Sequence, residues 1–263
     1  MSRPAPWAKA VIAQAGVEAR LTARRGENLL AMIGVPIALL LFAGPWLAGR
    51  GDIHLVLPGT LAIAIAASGL VNLAIATAYE RGYGVLKRLG GSPLGRSGLV
   101  AAKVGVVLII AVAQVIGLTA VAALTLGWRP GPDASVLALA VTTVLGSAAF
   151  AGLGLLLAGT LRPEAALVGA NVLFLAALGF AGALVPIAEL PGPLQLVARV
   201  LPVGALSEAY AAALGSGADV LGRSGGGAPW SILGPWGILA PWGILGLWAL
   251  VSTAAAARTF RWD

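Results

Sequence analysis

Six stretches without a single Asp, Glu, Lys or Arg divide the chain: Leu29–Leu47, Leu55–Ala78, Val104–Leu126, Ser135–Leu161, Ala165–Ile187 and Ile232–Ala257. At about 1.5 Å of rise per residue, each is long enough as a helix to cross a hydrocarbon core about 30 Å thick. Backbone polar groups find no water there, so each segment must satisfy its own hydrogen bonds, which a helix does. Composition agrees: 59% of residues are hydrophobic and 10% charged, against about 25% charged for a soluble domain. The expected fold is all-α, a polytopic membrane protein with six transmembrane helices. No cysteine is present and His54 is the single histidine, so disulfides, cysteine metal sites and histidine clusters are excluded and no metal site is expected.

The net charge of +7 suits nucleic acid in a polar chain. In one this apolar, its distribution across the bilayer matters more, and no nucleic-acid partner is expected. Thirteen of the seventeen basic residues fall before the first span, between spans two and three, at Arg162, or in the tail. Only Arg50, Arg129, Arg199 and Arg223 fall on the other side. Basic loops stay cytoplasmic, so both termini are expected there. The polar lead before Leu29 does not read as a cleavable signal, and the first span is expected to serve as its own insertion signal. Residues 1–28 form this lead, in which Trp7, Val11, Ile12, Val17 and Leu21 alternate with basic residues. That pattern predicts an interfacial helix held to anionic lipid. Residues 29–263 then form one six-span domain.

The segment 79–103, between spans two and three, contains Gly90, Gly95, Arg96 and Ser97 at the spacing of a P-loop. A working P-loop needs a lysine where Arg96 stands, and lies between a strand and a helix. An aspartate after an apolar strand must also hold magnesium, and none of the chain's aspartates does. The match is accidental, and this chain is expected to bind no nucleotide. In the same segment Val85, Leu86 and Leu89 recur at helical spacing, with Lys87 and Arg88 opposite. Gly90-Gly91 stops that helix and Pro93 turns the chain back toward the membrane. A short amphipathic helix of this kind suits a partner's groove.

The run YERGYGVLKRLGGSPLGRSGLVAAK, residues 79–103, resembles the cytoplasmic loop of ABC-2 type transporter permeases, the family that includes daunorubicin-resistance efflux permeases. Glu80, Arg81, Leu86, Lys87, Arg88, Leu89, Ser92 and Pro93 match its pattern. A second patch, Gly182 to Leu214, is similar to the paired external helices that precede the last span in that family. The resemblance implies a permease subunit of an ATP-driven exporter in a bacterial plasma membrane, without catalytic residues. The loop would contact a separate ABC ATPase, which carries ATP and Mg, and a second permease copy or paralogue would complete the pathway. A hydrophobic or amphipathic cargo is implied: a drug (hence antibiotic resistance), a lipid or a glycolipid.

The spans hold no ionisable residue, whereas ion-driven carriers usually place one there. Asn72, Gln114 and Asn171 are their strongest polar groups. These are candidate pathway residues, although interhelical hydrogen bonding is the commoner use. Small-residue pairs Ala148/Gly152, Gly154/Ala158 and Gly179/Ala183 would allow close helix packing. Between spans five and six, residues 188–229, Pro191, Pro193 and Pro202 break the chain into half-helices too short to cross. Pro191, Pro202 and Glu208 mark this external pair, read as re-entrant or as a surface hairpin. Trp46, Trp128, Trp230 and Trp248 would form an interfacial belt. The pentamer LGRSG occurs at 94–98 and 221–225, and an inverted repeat would place it so. Gly222 to Gly226 fits a hydrolase elbow but has no histidine paired with it. An ion-coupled secondary transporter and a non-transporting membrane scaffold are the alternatives to the exporter.

Overall fold

The computed structural model describes residues 6–24, 30–48, 53–90, 95–185, 187–216 and 237–259. Helix α1 covers Trp7–Arg24, and α2 opens as a π turn at Leu30–Gly34 before continuing as Val35–Ala48. Helix α3 runs over Ile53–Gly82 with a π stretch, Ala67–Asn72, inside it. The short α4, Val85–Gly90, is followed by α5 (Gly95–Thr125), α6 (Val136–Thr160) and α7 (Pro163–Phe180). Helices α8 (Gly192–Val200) and α9 (Pro202–Ala213) meet at a bend of 84°, and α10 spans Leu239–Thr259. The described residues contain no strand.

Five helices, α3, α5, α6, α7 and α10, are long and apolar enough to cross a membrane. The α8–α9 pair adds a sixth if its two bent halves are counted as one span. The chain is thus an all-α, multi-pass membrane protein. The first apolar run is helical in α2, yet its described apolar core is only Met32–Phe42. The fifth stops at Phe180 rather than Ile187, because the backbone after it is pressed against α3. A Cβ on Gly59 would lie 2.5 Å from the Ala183 nitrogen, and Gly182 turns the chain at a φ of 73°. The third begins at Gly95 rather than Val104, so Arg96 and Lys103 are helical residues and not loop residues. Much of the expected loop 79–103 is therefore helix.

Helix α6 sits at the centre and packs on α3, α5, α9 and α10. In a bilayer, lipid tails are as apolar as leucine, so helices associate by close packing more than by apolar transfer. Glycine makes that approach here. A Cβ on Gly152 would lie 2.1 Å from Ser252 Oγ of α10, and one on Gly154 would lie 2.2 Å from the Gly69 carbonyl oxygen in the π stretch. The other small-residue pair from the sequence does not act so, since a Cβ on Gly179 meets only open space. At the π stretch Ser68 turns its hydroxyl back to the Ala64 carbonyl at 3.0 Å, a local bond that competes with the regular helical ladder.

The proline-broken region forms two short helices, as its prolines predict. Pro202 occupies the first turn of α9, where its missing N–H costs nothing. Almost every residue of α9 is buried, packed on α3, α6 and α10, so α9 enters the bundle and is not a surface hairpin. Residues 217–229 of the expected external region lie outside the described residues, as do both LGRSG pentamers in part or whole, the Gly222 to Gly226 motif and Trp230.

Candidate functional site

Charged residues of three separate helices converge on Lys103, in the third turn of α5. Its side chain is 1% exposed. Nζ meets Glu18 Oε2 of α1 at 2.9 Å and Glu80 Oε2 of α3 at 2.8 Å. A buried ammonium is stable only where partners replace its lost hydration, and these two carboxylates do so. Gln14 Nε2 donates to the other oxygen of Glu18 at 3.0 Å, one helical turn away. With two carboxylates to one ammonium the cluster keeps a net negative charge, and Glu80 is its more open member, 27% exposed.

The next residue, Arg81, turns the other way. Its guanidinium donates to the Ala158 carbonyl at 2.7 Å and to the Leu161 carbonyl. These lie at the C-terminal end of α6, where carbonyls lack intrahelical donors and the helix dipole favours a cation. Consecutive residues at the end of α3 thus clamp it to α1 and α5 on one side and to α6 on the other. Glu80 and Arg81 were expected in a partner-facing loop; both are engaged inside the helix bundle.

Helix α4 hangs from this clamp. Gly84 has a φ of 70°, a left-handed conformation that glycine adopts without strain, and it lets the chain turn from α3 into α4. Leu86 is 0% exposed, packed with Leu73, Leu99 and Val100. Val85 and Leu86, expected on one apolar face with Leu89, therefore part: Leu86 anchors α4 inward while Val85 is exposed. Tyr83, Val85 and Lys87 are exposed. Arg88 and Leu89 lie on α4 with side chains outside the described residues, and Ser92 and Pro93 lie outside them altogether.

The amides divide. Gln114 is buried, and its Nε2 donates to the Met32 carbonyl at 2.8 Å and to Ser68 Oγ at 2.9 Å. It joins the π turns of α2 and α3, supplying a donor to a carbonyl near an irregular turn. Asn72 Nδ2 reaches Met32 Sδ at 2.8 Å. Both are interhelical contacts. Asn171 is exposed on α7, where its Nδ2 donates to the Leu167 carbonyl at 2.8 Å, and it borders a cavity along α3.

In the bent pair, Arg199 Nε donates to Glu208 Oε1 at 3.2 Å, bracing α8 against α9. Pro191 precedes α8 and Pro202 is buried at the start of α9. One tryptophan departs from the expected lipid belt. Trp128 is buried, tilted against His54 with ring centroids 6.3 Å apart. Trp248 Nε1 donates to the Val200 carbonyl at 2.9 Å. His54 Nδ1 lies 3.3 Å from Ser216 Oγ, so it pairs with a structural hydroxyl at the start of α3.

Sequence reasoning missed the lysine cluster. Glu18 lies 85 residues from Lys103, and nothing local to either names the other. The stacked pair Tyr79 and Tyr83, with centroids 6.1 Å apart, had a signal in its four-residue spacing.

The sequence model of the ABC-2 type transporter family matches residues 15–214, from within α1 to the end of α9. The chain belongs to the ABC-2 type transporter family. No curated protein matches it. The matched region of this ABC-2 permease includes Glu18, Glu80, Lys103 and the bent pair, while α10 lies beyond it. A domain of this family is a membrane permease component of a transporter and is not itself the catalyst.

Proposed function

We propose that this permease is the membrane subunit of an ATP-driven exporter, and that a separate ABC ATPase, carrying ATP and Mg, docks on the end formed by α1 and α4. This end faces the cytoplasm of a bacterial plasma membrane, with both termini there, by the distribution of basic residues. Two permease copies, or one with a paralogue, form the pathway. The cargo is hydrophobic or amphipathic, and the likeness of residues 79–103 to daunorubicin-type permeases favours a drug.

The Lys103 cluster carries this reading. A push on α4 moves the end of α3 through the short turn at Gly84. Lys103 passes that motion to α5 and α1, and Arg81 passes it to α6. ATP binding need only displace the outer elements by a small amount, because packed helices rearrange as units.

Co-expression with candidate ATPase subunits and purification from solubilised membranes tests it. Wild type is expected to retain an ATPase with measurable activity. Val85→Asp combined with Lys87→Glu, both exposed positions, is expected to lose the ATPase and remain folded. If wild type retains no ATPase, or if cargo flux follows a proton or sodium gradient without one, the exporter reading fails.

A further inference from the structure

A cavity of about 590 Å³ lies along α3, between α2 and α7. Sites for small organic molecules span roughly 300–1,000 Å³. Met32, Ile75 and Phe174 supply apolar wall, while Tyr79, Tyr83 and Glu80 supply the end nearest α4. A second cavity, about 60 Å³, has Lys103 and Glu18 in its wall. The two share Asn72, Ala76 and Glu80. Glu80 therefore stands in the partition between them, bonded to Lys103 on one side and contributing to the larger cavity on the other.

The charge balance selects among occupants. Two carboxylates face one ammonium in the cluster, so an anion entering the larger cavity is repelled. A neutral guest gains only apolar contact. A cation gains the Glu80 carboxylate and lies beside the stacked pair Tyr79 and Tyr83 in the same wall, aromatic side chains that favour positive charge. We propose that this cavity binds a cationic amphiphile, an ammonium or phosphonium centre on an apolar body, with Glu80 as counter-ion and Tyr79 and Tyr83 beside the charge. This names the cargo class of the permease and rests on that reading. Glu18 lies outside the larger cavity and acts as a positioning residue. By sharing Lys103 it leaves part of the Glu80 charge for the guest.

Equilibrium dialysis with full-length permease in nanodiscs of zwitterionic lipid, empty nanodiscs subtracted, tests it. The probes are tetraphenylphosphonium and tetraphenylborate, matched in size and opposite in charge. Wild type is expected to bind the cation saturably and to show no excess of the anion. Glu80→Gln is expected to weaken cation binding about tenfold, the size of one lost charge contact. Glu18→Gln is expected to weaken it less, because Lys103 then draws on Glu80 alone. Asn171→Phe narrows the cavity from α7 without touching the cluster and is expected to weaken binding of so bulky a probe. Should Glu80→Gln not fold, the Glu18 and Asn171 variants decide the matter. Equal binding of both ions, or cation binding unchanged in Asn171→Phe, overturns the proposal and leaves the cavity to lipid or a second permease copy. No ATPase is present in this assay. A permease that retains its ATPase but binds no cation loses only the cargo class; one that binds the cation but retains no ATPase loses only the exporter reading.

Discussion

Lys103 with its two carboxylates and the Arg199–Glu208 pair use the same chemistry over different reach. The first joins residues 85 and 23 positions apart and three helices. The second joins residues nine apart across one bend. A long-range ion cluster makes separate segments move together, whereas a local one holds a shape. The first ties three helices of the permease into one unit, and the second holds one broken helix in its bend. The difference predicts unequal consequences when each is broken, since an uncompensated buried charge costs more than an intact pair gains.

Lys103→Met leaves two carboxylates facing one another without a counter-ion. Stability is expected to fall by roughly 3 kcal/mol, seen as a lower unfolding midpoint in detergent. Arg199→Met deprives one carboxylate of a cation and should cost less; equal losses would break the comparison. Gly154→Val, which forces a side chain against the Gly69 carbonyl, should cost about 1–3 kcal/mol. Gly179→Val, with open space around it, should leave the midpoint almost unchanged. Arg81→Gln, partly exposed, removes the cation at the end of α6 and should cost about 1 kcal/mol. It sharpens the comparison further by loosening α3 from α6 while the Lys103 cluster persists, so a larger fall than for Lys103→Met would reverse the ranking.

Features governed by neighbours along the chain were legible before the fold. The break at Pro202 and the helical character of the apolar runs follow from proline and hydrophobic length. Helix α10 was legible in kind, and its described part begins at Leu239. Leu86 was placed on the right helix and assigned the wrong side, because helical spacing gives a face but not its direction. Lys103 read as a loop charge because a lysine adjoining an apolar run usually reaches water. Trp128 read as a lipid anchor for the same kind of reason, and is instead covered beside His54. Of the candidate site, Glu80 and Arg81 were named in the sequence as loop residues toward a partner, while their contacts with Lys103 and with the end of α6 were not legible.

The sequence by itself determined that the chain lives in a membrane as helices, where it bends, and which end carries the positive charge. Each of these depends on transfer free energy or backbone conformation, which act residue by residue or over one turn. Only the tertiary structure decided that Glu18, Glu80 and Lys103 form one cluster, that Leu86 faces inward, and that α9 lies inside the bundle. Those outcomes depend on which helices touch, and in a bilayer that choice is made by close packing at glycines such as Gly152 and Gly154. Packing is a property of pairs of surfaces, and hydrophobicity along one strand of sequence does not encode which surface will meet which.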